Sequence, residues 1–201
     1  MAARKPGAER EFDYNRTVAL SDGVFAIALT LLVLNIEVPR LAHGDRSSLW
    51  QALAAGRSEW LSYAISFAVI ALLWTRHHAF FREVRRIDGR LAVLNLVYLG
   101  VVAFIPFPTR LLGLYGDRPE AVVVYATTIA AVGGIAAVTR LHARSAGLLA
   151  PEARRDSFWR LALVPLAFLV SIPIAFLSPT LAELSWISLA LIGNLEGRRP
   201  A

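Results

Sequence analysis

The chain is 201 residues long, 56% hydrophobic and formally +6 at pH 7, with a mean hydropathy of +0.53. That is too apolar for an ordinary soluble domain, and because the arginines fall between apolar stretches, the basic balance describes membrane topology and sets aside a nucleic-acid partner. Cysteine is absent, which excludes disulfides and thiolate metal sites.

Residues 1–15 mix Arg4, Lys5 and Arg10 with Glu9, Glu11 and Asp13 and lack the apolar core of a cleavable signal. They are expected to form a cytoplasmic tail, either a solvated arm or an interfacial helix near Phe12 and Tyr14, with the first span retained. That span, 16–39, is uncharged from Gly23 to Ile36 and ends at Pro39. It is long enough to cross a bilayer core, which takes about 20 helical residues. Ser21 and Asp22 lie in its first turns. A carboxylate inside a span costs roughly 2.5–3.5 kcal/mol on insertion scales and calls for a partner; the plainer reading is a helix-start acceptor at the interface.

The link 40–57 reads as a loop with a short helix at 49–55. A second span, 60–81, ends in the run WTRHHAFF. A third, 91–114, carries Asn95 and the run Pro106-Phe107-Pro108-Thr109, which should kink or end it. A fourth, 121–139, contains Gly133-Gly134, which permits close helix contact. After a basic link, the fifth span, 161–177, carries Pro165 and Pro173, and the sixth, 179–195, is interrupted by Glu183. The expectation is one all-α membrane domain, 1–201, with six transmembrane helices. Of the 21 Lys and Arg, only Arg40, Arg46, Arg57, Arg110 and Arg118 fall on one side of this arrangement. The positive-inside rule therefore places both termini in the cytoplasm of a multi-pass cell-membrane protein.

Polar groups inside the spans are the candidate working parts. Arg16 lies six residues before Asp22, nearly two turns away, so Asp22 is expected to find its partner on another helix. Trp74, His77 and His78 end the second span at the depth of Asp22, and a His77–Asp22 hydrogen bond would satisfy both groups; wet, interfacial histidines are the alternative. Only His43 and His142 remain as further histidines, neither well placed, so no metal or other cofactor is expected. Ile27, Leu31 and Leu34 share one helical face. Every residue here is apolar, so periodicity alone does not decide whether that face meets lipid, core or an axis. Asn35 and Glu37 form either a polar mouth or a helix end reaching headgroups.

The pattern Arg16-x-x-x-Leu20-Ser21-Asp22 followed by GVFAIALTLLVL resembles the first-helix signature of the transmembrane protein 175 family, with Leu20 where phenylalanine is usual. The likeness continues through the histidine pair after Trp74, Asn95 and Pro106-Phe107-Pro108-Thr109, covering about the first 110 residues; Arg76 stands where asparagine is expected. The resemblance implies a homotetramer of six-helix subunits, not an enzyme, that passes potassium and other monovalent cations across the lipid bilayer. It implies a pore lined by four first helices, with a constriction at Ile27, Leu31 and Leu34, with Thr30 beside the first ring and with Leu29 and Leu32 as candidates for the lipid side. It further implies that Arg16, Ser21, Asp22, Trp74 and His77 form the polar network holding that helix. The competing reading is a proton-coupled secondary transporter using Asp22 and His77 as a titrating pair, a class that favours broken helices and repeats. A membrane enzyme would need more inward polar groups, and a scaffold would need none.

Overall fold

The computed structural model describes residues 6–40, 48–151, 153 and 158–186. The described residues are helical, with only an isolated antiparallel bridge, Val84 to Leu149. The first helix, α1 (Pro6–Leu31), starts well before Arg16. The expected tail and the first span are therefore one rod, with Pro6 at a position where its missing N–H goes unneeded. The rod does not run helically to Pro39 as expected. It tightens into a 3-10 turn, Leu32–Asn35, and Ile36 is already extended (φ −88°, ψ 114°). The Asn35 side chain explains the early end: its Nδ2 donates to the Pro106 carbonyl at 3.0 Å and ties the turn to a neighbouring helix.

The short helix α2 (Leu49–Ala55) stands where the link was expected to hold one, started by a reciprocal capping box between Ser48 and Gln51. It leads into α3 (Arg57–Glu83), which buries Ser62, Ile65, Ser66, Val69, Ile70 and Leu73 along one stripe. Asp88 caps α4 (Gly89–Phe104), accepting from the Leu91 N–H at 2.7 Å. The expected proline break falls at Ile105. Its N–H reaches back only to Val102, at 3.1 Å, and α5 (Pro106–Tyr115) restarts beyond it. Pro106 and Pro108 have no N–H to continue the ladder, yet Ile105 keeps helical dihedrals, so α4 and α5 together make one crossing interrupted at Ile105.

The helix α6 (Pro119–Ser145) packs against α4, α5 and α7 (Phe158–Leu177). Gly133 is required at the α6–α7 crossing: a Cβ there would stand 2.9 Å from Cδ of Pro165. The chain then turns at Ser178 and is helical over 179–186. Trp186 returns into the core, stacked on Tyr125 and Phe168 with centroids 5.0 and 5.1 Å away, and its Nε1 donates to Ser171 at 2.9 Å.

Four helical segments, Tyr14–Asn35, Arg57–Glu83, Gly89–Tyr115 and Pro119–Ser145, are long and apolar enough to cross a membrane. They answer to the first four expected spans. The apolar run Pro165–Leu177 is shorter, and most of the expected sixth span lies outside the described residues. Alternation puts residues 83–89 and 140–150 at one end of the bundle, the basic end. There Arg140 donates to Glu83 at 2.8 Å and His142 Nε2 meets the Asp88 carboxylate at 2.9 Å.

Candidate functional site

The site is built on the two faces of α1. Its inner face carries Ser21, Phe25, Ala28 and Leu32, each at most 1% exposed, against α3 and α4. Leu32 therefore belongs to the core and not to the lipid side expected of it if α1 lines a pore, and Leu29 is half-buried against the same cluster. The outer face carries Ile27, Thr30, Leu31 and Leu34. Ile27 and Leu34 are 59% and 69% exposed, the Thr30 hydroxyl donates to the Ile27 carbonyl at 2.9 Å, and nothing lies within 4 Å of where a Cβ of Gly23 would sit. In one protomer this is an open apolar stripe.

Behind the stripe, polar side chains fasten α1 to its neighbours. The Trp74 indole N–H donates to Asp22 at 2.9 Å, and Trp74 stacks on His78 with ring centroids 5.6 Å apart. His77 does not bond Asp22 as expected. Its Nε2 lies 2.8 Å from Asn95 Oδ1, and Asn95 Nδ2 donates to Ser21 at 3.2 Å. The Ser21 hydroxyl in turn donates to the Thr17 carbonyl at 2.9 Å. With the amide oxygen on one partner and the amide nitrogen on the other, the protons run one way: imidazole N–H to amide oxygen, amide N–H to hydroxyl, hydroxyl to backbone. The cause is steric. On α3, Trp74 stands one turn before His77, so the longer indole reaches the half-buried Asp22 while His77 turns inward. There its ring lies among Phe81, Tyr98 and Phe25, with centroids 4.6, 5.2 and 5.5 Å away. Arg16 is also engaged.

Asn95 is the residue that the assignment of roles missed, although an asparagine alone in the middle of an apolar helix is itself a signal of a buried partner. A second polar knot was missed as well. Thr109 lies 2.8 Å from Ser66, which lies 3.0 Å from the Tyr125 hydroxyl, and Thr109 also reaches the Ile105 carbonyl at 2.9 Å. Three hydroxyl protons serve three bonds in this fully buried cluster, which joins α3, α5 and α6 beside the proline break. Chemically, the whole arrangement positions α1 firmly on one side and leaves an uncharged face on the other. Among the described residues no group of three or more His, Cys, Asp or Glu is placed to hold a metal.

Comparison with known proteins gives this geometry a family. The family profile described as endosomal/lysosomal potassium channel TMEM175 matches residues 16–106. A Streptomyces collinus protein named as a potassium channel is 40% identical over 176 residues, covering 83% of this chain and 84% of its own. Human TMEM175, named as an endosomal/lysosomal proton channel, is 34% identical over 111 residues, 52% of this chain and 22% of its own. The crystal structure of a TMEM175 homologue from Chamaesiphon minutus, described as a lysosomal potassium-selective channel, superposes with a TM-score of 0.83 at 31% identity, covering 93% of this chain and 99% of the other. With a proline-interrupted α4–α5 crossing, a polar lock on α1 and this degree of similarity over most of its length, the chain belongs to the TMEM175 family of membrane channels.

Proposed function

We propose that four copies assemble around an axis with α1 innermost, and that the pore passes potassium and other monovalent cations through a constriction made by Ile27, Leu31 and Leu34. The observation that carries this reading is the two-faced first helix: a stripe of large apolar side chains open to the outside, backed by a polar lock and a packed inner face. Hydrogen bonds that hold α1 in one rotation support this reading, because in a pore-lining helix a rotation would exchange the side chains on the axis. Symmetry turns one stripe into rings. An apolar ring excludes ions by losing its water before its walls touch, and a small widening restores both. Thr30, whose hydroxyl is used on its own helix, adds acceptor oxygens beside the first ring. The arginine distribution orients both termini toward the cytoplasm.

The test is downhill flux from potassium-loaded liposomes carrying the purified protein, with sodium-loaded and pH-gradient controls. Potassium efflux that rises linearly with the driving force supports the channel. Efflux that saturates and requires a proton gradient refutes it in favour of a carrier using Asp22 and His77.

A further inference from the structure

A pocket of about 100 Å³ opens at the basic end of the bundle, between α3, α4, α6 and α7. Its walls are mostly apolar and aromatic, with Leu73, Phe80, Phe81, Ala136 and Pro165 on them. Its polar members are largely committed. Arg140 donates to Glu83 at 2.8 Å and lies over the Phe80 ring, 5.8 Å from its centroid, and Arg76 is engaged as well. Thr139 gives its hydroxyl to the Ile135 carbonyl at 2.7 Å. Asn95 spends its oxygen on His77 and its nitrogen on Ser21.

Two polar atoms on the same wall are not committed. Among the described residues, His77 Nδ1 and the Tyr98 hydroxyl take no hydrogen bond, while no fully buried side-chain nitrogen or oxygen is left without one. Both atoms therefore face open volume, and the pocket is the volume their residues line. Tyr98 is only 4% exposed, and its ring stacks on His77 with centroids 5.2 Å apart at 21°. Because Nε2 carries the proton given to Asn95, Nδ1 is an acceptor. The Tyr98 hydroxyl, on the ring stacked against His77, offers a donor. A buried acceptor and a buried donor, carried on two stacked rings that line one aromatic chamber, are complementary to one hydroxyl group on a small planar apolar body.

We propose that this pocket is a binding site for a small neutral aromatic alcohol of the phenol class, whose O–H donates to His77 Nδ1 and whose oxygen accepts from Tyr98. The committed arginines favour a neutral ligand over an anion. Occupancy also has a consequence for α1. A donor on Nδ1 holds the imidazole in the tautomer that donates to Asn95, and Asn95 holds Ser21, so the ligand strengthens the lock on the first helix. The proposal concerns one protomer and stands whether or not α1 lines a pore.

The test is fluorine NMR of the purified full chain in detergent, with 4-fluorophenol as the probe. 4-Fluoroanisole, which has no hydroxyl proton, and 4-fluorobenzoate, which is anionic, are the comparators. Saturable 4-fluorophenol binding is expected, with 4-fluoroanisole weaker by about fivefold or more, the effect of leaving one buried acceptor unpaired. Tyr98→Phe should weaken 4-fluorophenol by a similar factor. Ala136→Leu, which fills the chamber without touching the polar lock, should abolish binding while the protein elutes as before. Equal binding of 4-fluoroanisole means a plain apolar hole and overturns the proposal, as does stronger binding of 4-fluorobenzoate. Non-saturable uptake, unchanged in Ala136→Leu, means partition into detergent and a pocket that holds water only; it overturns the proposal too. The comparison of ligands on the unaltered chain decides the matter even where a variant fails to fold.

Discussion

Replacing Asn95 with leucine should break the lock on α1 in a way that a second substitution repairs. The amide makes two contacts, 2.8 Å to His77 and 3.2 Å to Ser21. Leucine fills similar space but offers neither. Ser21 stays satisfied, because its hydroxyl still donates to Thr17. The His77 N–H is stranded in an aromatic cage, and leaving a buried donor unpaired costs about 1–3 kcal/mol. His77→Phe alone strands the Asn95 oxygen at a similar cost. In the double variant both polar groups are gone, and a phenyl ring sits among Phe25, Phe81 and Tyr98, so the loss should be smaller than the sum by about 1–2 kcal/mol. The assay is a double-mutant cycle of SDS-driven unfolding in mixed micelles, followed by tryptophan fluorescence. Losses that simply add, with no coupling beyond about 0.5 kcal/mol, would refute the relay as the element that holds α1.

Ile27→Asn and Leu31→Asn should raise conductance and lower the preference for potassium over sodium in planar bilayers, because inward amides wet an apolar ring. Phe25→Asn, on the buried face, should instead reduce the yield of folded protein; unchanged currents in both outer-face variants with the assembly intact would place the pore elsewhere. Asp22→Ala strands the Trp74 indole N–H, which is partly exposed, and should destabilise assembly by about 1 kcal/mol, read as oligomer yield in mild detergent, with ion selectivity unaltered. Gly133→Ala sets a methyl 2.9–3.0 Å from the Pro165 ring and should destabilise by about 1–3 kcal/mol through overpacking, measured by thermal retention of the monodisperse peak. Asp88 is held below the usual carboxylate range by the Leu91 backbone N–H and then by His142. Its ionised form thus stabilises the fold fully above the ordinary carboxylate pKa, and that contribution fades as pH falls through the lowered folded value. The stability gap between the wild type and Asp88→Asn should close in that acidic window, and a gap that widened there would contradict the cap.

Several features were legible in the residues alone because each follows from a local physical demand. Hydrocarbon thickness converts directly into helix length, so the apolar runs marked the first four crossings. Pro106 and Pro108 lack N–H groups, so the break in the third crossing could be placed to within a residue or two. Ser21, Asp22, Trp74, His77 and Asn95 stood out as polar atoms in apolar surroundings, and each does have a partner. Pairing and facing were decided only by the tertiary structure. A helix that is apolar all round carries no stripe to report its rotation, so Leu32 and Ile27 look alike in sequence although one is sealed in the core and the other is open. His77 and Trp74 are a single turn apart, and either is compatible with Asp22 by depth. Which one meets it depends on how α3 is rotated against α1 and on the length of each side chain. The early end of α1 has the same origin: it depends on the Pro106 carbonyl at the start of another helix, 71 residues away in the chain and 3.0 Å away in space.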